Sequence, residues 1–255
     1  MKRISIVILT AGLAVGATTA RKQEAHPPGC AELAGTVSRE LMERPVGLRE
    51  GVGKLHQKVS TESAAAQDDY DQGITFLASY VWVEAARAFH EALRKDPALA
   101  MAELGLAKAY AGADADEDAR AHLTKAKELA GKEKVTPGEM KWIDLAIMQR
   151  DAIDAPSSQT QLKHEAYKKA IEELIKLDPS DPLAWILRGN AEERGPWGRG
   201  QGGEVGSIAY YETALMRDPG NLAAHHFLVH SFEHIGRHAE AAEHGRAYLA
   251  ASPNV

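Results

Sequence analysis

Two histidines and a glutamate near the end of the chain have the spacing of a metal-binding set. His226, His230 and Glu233 are separated by four and three residues, which places them on one face of a helix. Imidazole nitrogens and a carboxylate oxygen are ligands that divalent metals accept. The pattern therefore predicts a metal-binding or metal-dependent hydrolytic protein. The same side chains also fit a polar groove wall with hydrogen bonds to neighbouring elements, and we favour this second interpretation.

Other catalytic patterns are excluded by the residues around them. A zinc protease of the His-Glu-x-x-His type requires a glutamate after the first histidine, and Phe227 stands there. Residues 198–203 match the Gly-x-Gly-x-x-Gly pattern of dinucleotide sites, but a helix and Pro196-Trp197 precede them instead of a strand. We interpret this stretch as a flexible loop that projects Trp197 and Arg199 over a groove.

Three more histidines carry no recognisable pattern. His90, His122 and His164 are far from one another in the sequence and from the set at residues 226–233. We expect them to be isolated and solvated.

The elements that must position these residues repeat every 34 residues. Marks of large and small residues at five positions return after one period: Phe76, Ala85, Phe89, Ala92 and Pro97 become Tyr110, Ala119, Leu123, Ala126 and Gly131. Such a period is typical of stacked helical hairpins. Alanine is abundant and aromatic residues make up 6% of the chain, which favours closely packed helices. The sequence predicts an all-α fold.

Three further hairpins follow with weaker marks. They close at Asp178-Pro179, at Asp218-Pro219 and at Pro253, since proline disfavours helix in the residue before it. In the third hairpin Tyr167, Ile171 and Leu174 replace the usual small and large marks. The fourth hairpin contains the glycine-rich insertion 195–203.

The pattern resembles the tetratricopeptide repeat over residues 64–255. The resemblance is carried by Ala85, Phe89, Ala92 and Pro97, and again by Leu106, Tyr110 and Ala119. Residues 73–77, 84–89 and 96–101 are also similar to a group of exported bacterial repeat proteins with no established activity. The resemblance implies a right-handed superhelical solenoid of about five helix-turn-helix hairpins, whose first helices line a concave groove.

This architecture predicts a non-catalytic scaffold that binds a peptide or protein partner in the groove. The candidate binding residues share an expected position on first helices, and they are Tyr70, Ile74, Leu77, Lys108, Asn190, Arg194, His226, His230 and Glu233. They are expected to act through hydrogen bonds and apolar contact. No cofactor is expected, apart from the divalent metal of the alternative hypothesis.

The first 20 residues have the layout of a secretory signal peptide. Lys2 and Arg3 precede an apolar run, and small residues end the stretch at Ala20. An uncleaved anchor is the alternative, and no later stretch is apolar enough to cross a membrane. Residues 21–63 are expected to form a non-repeat lead-in, with one helix over 31–43, before the repeat domain at 64–255. The sequence thus predicts an exported protein, periplasmic or extracellular.

Charge, cysteine content and the last residues limit the partners. The formal charge of -6 becomes -8 when Lys2 and Arg3 are removed, which disfavours nucleic acid as a partner. Cys30 is the only cysteine, so no internal disulfide can form. No polar capping helix follows Pro253, although repeat arrays usually end with one. We expect more chain, a partner or a second copy to cover the last hairpin, and a homodimer is one of these outcomes.

Overall fold

The computed structural model describes residues 37–132, 135–200 and 203–255, which form eleven α-helices and no strand. In chain order they are α1 (Arg39–Glu43), α2 (Ala64–Ala78), α3 (Trp82–Lys95), α4 (Ala100–Gly112), α5 (Asp116–Lys132), α6 (Pro137–Ile153), α7 (Ser157–Leu177), α8 (Pro182–Asn190), α9 (Val205–Arg217), α10 (Leu222–His234) and α11 (His238–Ala251). The all-α prediction is confirmed. The predicted signal peptide, Cys30 and residues 31–36 of the predicted lead-in helix lie outside the described residues.

The helices from α2 onward pair into five antiparallel hairpins, as the repeat predicts. The first hairpin is α2 with α3, the second α4 with α5, the third α6 with α7, the fourth α8 with α9 and the fifth α10 with α11. Each second helix also packs on the first helix of the next hairpin. The first helices α2, α4 and α6 contact one another, so they form an inner wall.

Local sequence fixes where these helices start. Side chains of Ser63, Asp181 and Asn221 accept hydrogen bonds from backbone N–H groups in the first turns of α2, α8 and α10. Thr136 and Glu139 form a reciprocal capping box at the start of α6. Each cap satisfies a backbone N–H group that would otherwise lack a partner at the helix end.

The turns inside the hairpins share one backbone feature. Tyr80 and Asp114, which occupy equivalent positions of the first two hairpins, both have φ of +58°. Gly236 has φ of +78° in the fifth hairpin. This left-handed conformation is rare for residues with a side chain, and it reverses the chain between the two helices of each hairpin.

Phe89 shows how neighbouring hairpins fit together. Its ring lies between Gly73 of α2 and Gly105 of α4, and a Cβ atom at either glycine would be 2.5 Å from the ring. The ring of Tyr70 packs beside it, with ring centroids 5.7 Å apart. Phe89 is fully buried, and burial of such a ring contributes about 1.5–3 kcal/mol. The small and large marks of the repeat are therefore a matched set of contacts.

The lead-in is mostly extended. In the described part of the chain its only helix is α1, which starts at Arg39 after the cap residue Ser38. The predicted helix over 31–43 is therefore too long at residues 37 and 38, because the Ser38 side chain accepts from the Leu41 N–H and ends the helical turns there.

Residues 44–61, which we call the strap, run along α2. Backbone N–H groups of Leu55, Gln57 and Val59 donate to side chains of Thr75 (2.9 Å), Asp71 (3.2 Å) and Gln67 (3.1 Å). These acceptors are four residues apart, so they lie on one face of α2. The strap is thus held through its backbone, while Val52, Leu55 and Val59 are buried.

The array closes on itself, which the repeat pattern does not predict. Helix α10 of the fifth hairpin contacts α2 of the first. The Asn254 backbone N–H donates to the Gly51 carbonyl at 2.7 Å, and its side-chain amide donates to the Glu50 carbonyl at 3.0 Å. The concave surface is therefore enclosed by a ring of five hairpins. The strap also covers part of the end of the last hairpin, whereas the homodimer stays a prediction.

Candidate functional site

The ring encloses a cavity of about 590 Å³, which we call the central cavity. All five first helices line it, together with the strap and residues 197–199 of the loop that follows α8. Its wall is mainly apolar, with large side chains from Leu55, Tyr70, Ile74, Leu77, Trp82, Met101, Leu104, Trp142, Ile153, Leu183, Ile186, Leu187, Trp197 and Phe227. Cavities of this size and character hold small molecules or a few side chains of a partner.

The glycine-rich loop closes one side of the cavity. Tyr80 of the first hairpin donates its hydroxyl hydrogen to the Arg199 carbonyl at 2.6 Å, and the Arg199 guanidinium donates to the Ala111 carbonyl at 3.3 Å. Gly200 has φ of +88°, and a Cβ atom there would be 2.4 Å from the Phe227 ring. Glycine is therefore required where the loop passes over α10. The loop follows α8, with no strand before it in the described chain, so the dinucleotide interpretation has no structural basis.

Lys108 of α4 is the polar group that stands apart in this wall. Its ammonium nitrogen lies 5.0 Å from the centre of the Trp142 ring, a cation–π contact. Burial among apolar groups lowers the pKa of Lys108 to about 8. Among the described residues, no carboxylate forms an ion pair with it.

The other polar groups of the wall have partners inside the protein. Arg150 pairs with Asp116 at 3.1 Å and with Asp154. The amide oxygen of Asn190 accepts a hydrogen bond from the Tyr211 hydroxyl at 2.7 Å. Asp114 also lines the cavity, but it lies exposed at the turn between α4 and α5.

Five of the nine predicted groove residues line the central cavity, namely Tyr70, Ile74, Leu77, Lys108 and Asn190. Arg194 lies outside it with a side chain that is 96% exposed and a Glu204 oxygen 3.6 Å away. His226 and His230 lie where the ring closes, and Glu233 is exposed. The structure thus separates the predicted set into cavity, closing contact and outer surface.

His226 and His230 form part of a seam between the first and fifth hairpins. The Nδ1 atom of His226 is 2.6 Å from the Ala78 carbonyl oxygen, and its Nε2 atom is 3.1 Å from Nε2 of His230. The Tyr80 ring lies edge-on to His226 with centroids 4.7 Å apart, and Tyr248 donates to Ser79 at 2.9 Å. Burial lowers the pKa of His226, because its charged form would lose water.

The predicted third metal ligand does not join the two histidines. In the residues that the structure describes, no group of three or more His, Cys, Asp or Glu side chains is placed to hold a metal ion. The His226 ring instead binds the Ala78 carbonyl, as the polar-wall interpretation expects for a groove histidine bonded to a neighbouring repeat. Only the two imidazoles remain as candidate ligands.

The expectation that His90, His122 and His164 are isolated and solvated is wrong. His122 binds the fully buried Glu103 at 2.7 Å, and Lys125 pairs with the same carboxylate at 2.5 Å. His90 contacts the Tyr110 hydroxyl at 3.3 Å, and His164 is buried. These histidines lie between packed helices, where the repeat places polar residues beside the aromatic marks.

Sequence reasoning missed several residues of the cavity wall. Trp82 and Trp142 are the first residue of α3 and a residue of α6, and both line the cavity. A tryptophan in an otherwise alanine-rich helix could have indicated them. Leu55 had no such signal, because the extended strap lacks a periodic pattern.

The hairpins and their enclosed cavity define a helical-repeat protein of the protein-interaction type. The chain carries tetratricopeptide repeats: the family model of that repeat matches residues 206–255, which include the fifth hairpin and most of α9. In the sequence the marks of the same repeat extend back to residue 64, and the structure forms a hairpin at each of them.

Two solved structures illustrate the similarity. The crystal structure of MamA is 22% identical over 71% of this chain and 94% of its own, with a TM-score of 0.36. MamA from Desulfovibrio magneticus RS-1, from residue 41 to its end, is 17% identical over 74% of this chain and 96% of its own, also with a TM-score of 0.36. Similarity at this level says nothing about the ligand of this chain. No curated protein matches the sequence.

None of the helices in the described residues combines the length and the apolar character that a membrane crossing requires.

Proposed function

We propose that this chain is a non-catalytic, exported scaffold that binds a peptide or protein partner by taking a segment of it into the central cavity. The observation that carries the proposal is the cavity itself, about 590 Å³ in volume and lined by the first helices of all five hairpins. An apolar wall with few polar groups favours binding of side chains over chemical conversion of a substrate. Nucleic acid is disfavoured by the negative net charge.

The strap supports this proposal because it shows how the inner wall holds an extended chain. Gln67, Asp71 and Thr75 accept backbone N–H groups at three points of the strap, and the Gln67 amide donates to the Gln57 carbonyl at 2.9 Å. Side chains on a first helix can therefore bind a backbone of any sequence. We infer that a partner segment is held by the same kind of contact deeper in the cavity.

Export is proposed from the first 20 residues. A fusion of residues 1–63 to a reporter enzyme that is active only outside the cytoplasm tests it. Activity of the fusion, with cleavage after Ala20 in the purified protein, is the expected result. Loss of activity on Ile6→Lys, which interrupts the apolar run, is the matching control, and a cytoplasmic reporter with intact residues 1–20 contradicts export.

Binding in the cavity is tested with linear peptides. A library of N-acetylated, C-amidated random peptides is selected on the intact chain, and the affinity of the selected peptides is measured by fluorescence anisotropy. Ala111 lines the cavity, so Ala111→Trp fills it and is expected to abolish binding. The matched control is Ala121→Trp on an exposed position of α5. Equal affinity for both variants contradicts the proposal.

Metal binding at His226 and His230 is the second candidate. The observation in its favour is the distance of 3.1 Å between the two Nε2 atoms, with Nδ1 of His226 fixed by the Ala78 carbonyl. A carbonyl on the second ring nitrogen is a common support for metal-binding histidines. Titration with zinc, copper or nickel ions tests it: binding near one equivalent that is lost in His230→Ala supports the site, and less than about a tenth of an equivalent rejects it.

A further inference from the structure

Lys108 gives the central cavity a charge preference. The other partly buried lysines and arginines of the inner hairpins have carboxylate partners: Lys95 pairs with Asp69, Lys125 with Glu103, and Arg150 with Asp116. Lys108 contacts only the Trp142 ring among the interactions of the described residues. A cation without a counter-charge in an apolar wall is disfavoured, and an anion brought by a ligand would compensate it.

The charges around Lys108 do not block such an anion. Asp116 is neutralised by Arg150, and Asp114 is exposed at the turn before α5. Arg199, which also lines the cavity, adds a second positive charge on the loop side. An entering carboxylate therefore meets Lys108 without having to displace an internal partner.

The wall around Lys108 also determines what must accompany the anion. Leu104, Trp142 and Ile153 belong to the same lining, and they offer no hydrogen bonds that could replace the water shell of a small inorganic anion. An anion attached to large apolar groups brings buried apolar surface with it, which offsets its loss of water. The cavity thus favours an anionic group on an apolar body.

We propose that the partner segment carries an aspartate or glutamate among large apolar residues, and that this carboxylate binds the ammonium group of Lys108 inside the central cavity. The inference rests on the proposed function, since it names the chemistry of the segment that enters the same cavity. A carboxylate and an ammonium group that are both removed from water form a strong, charge-assisted hydrogen bond.

The test compares each selected peptide with its amide counterpart, in which Glu is replaced by Gln or Asp by Asn. Because the peptides are acetylated and amidated at their ends, the side-chain carboxylate is the charge that is varied. The proteins are the intact chain, Lys108→Met, Lys108→Arg and the control Lys176→Met, whose side chain is 68% exposed on α7. Lys108→Met removes a cation that has no internal partner, so we expect it to fold normally.

The expected result is a dependence on charge that requires Lys108. Peptides selected on the intact chain contain an acidic residue, and the change to an amide raises Kd about tenfold or more, which corresponds to about 1.4 kcal/mol. In Lys108→Met the acid and the amide peptide bind alike, whereas Lys108→Arg and Lys176→Met keep the preference.

Two outcomes overturn the inference while the proposed function stands. Either the selected peptides bind in the cavity and lack acidic residues, or the ratio of acid to amide affinity is the same in the intact chain and in Lys108→Met. If no selected peptide loses affinity in Ala111→Trp, the proposed function fails and the inference fails with it.

Discussion

The Nδ1 atom of His226 lies 2.6 Å from the backbone carbonyl oxygen of Ala78, and this contact joins the fifth hairpin to the first. The two residues are 148 positions apart in the sequence. The contact stands in the middle of the seam that turns a row of hairpins into a ring, and it encloses the surface that we assign to partner binding.

The seam gives the first prediction. His226→Ala removes the bond to the Ala78 carbonyl and leaves that buried acceptor without its partner. We expect the free energy of unfolding to fall by about 1–2 kcal/mol, as measured by chemical denaturation at pH 7.5. The control is His238→Ala at an exposed position, with a change below about 0.5 kcal/mol. Equal stability of the two variants would show that the seam does not stabilise the ring.

The packing of Phe89 gives the second prediction. A Cβ atom at Gly105 would lie 2.5 Å from the Phe89 ring, so Gly105→Ala forces the ring out of its position. We expect a loss of about 1–3 kcal/mol in the free energy of unfolding. Gly131→Ala is the matched control, because nothing lies within 4 Å of its added methyl group. Alanine favours helix, so this control should leave stability unchanged or raise it by up to about 1 kcal/mol.

The third prediction concerns the link between the strap and α6. Glu139 is 4% exposed, accepts from the Ser60 backbone N–H at 2.7 Å and closes the capping box with Thr136. Glu139→Ala removes both links, and we expect it to lower the free energy of unfolding by about 2–3 kcal/mol. Glu128→Ala, at an exposed position of α5, serves as the control. Faster cleavage within residues 44–61 by a protease would show that the strap has been released.

The fourth prediction is a loss of stability in acid. Burial, followed by the nearby His122, lowers the pKa of His90 to about 4, whereas the unfolded chain has a histidine pKa of about 6.5. Between these values the unfolded state binds more protons, so the free energy of unfolding falls as the pH decreases from about 6.5 to about 4.

His90→Gln tests the origin of this fall. The variant should lose on the order of 1–3 kcal/mol of the pH dependence in that window. His238→Gln, an exposed substitution, should keep the slope of the natural chain. Identical slopes for all three proteins would assign the acid sensitivity to other groups.

The hairpins could be predicted from the sequence because each depends on contacts between residues at fixed short spacings. Gly73 and Phe89 mark the close approach of α2 and α3, and the same relationship recurs at Gly189 and Tyr211 in the fourth hairpin. Local marks of this kind repeat with the period of the fold, so a single sequence is enough to find them.

The seam and the strap could not be predicted, because they depend on where the accumulated rotation of five hairpins places distant residues. The Ala78 carbonyl carries no side-chain signal, and the strap has neither a helical nor a strand period. The pattern of His226, His230 and Glu233 was correct as one helical face, but it could not show that Ala78 faces the first histidine while Glu233 is exposed. For the same reason Lys108 was found as an inner residue and its lack of a counter-charge was not.

The meeting of Asn254 with Glu50, 204 positions away, limits how this architecture can change in evolution. An open array can gain or lose a unit by duplication or deletion at little cost to its remaining members. Here one added or missing hairpin would carry α10 away from α2 and leave both without their neighbour. The repeat number between residues 64 and 251 is therefore set by the circumference, and variation in this lineage should accumulate in the loops and the lining instead.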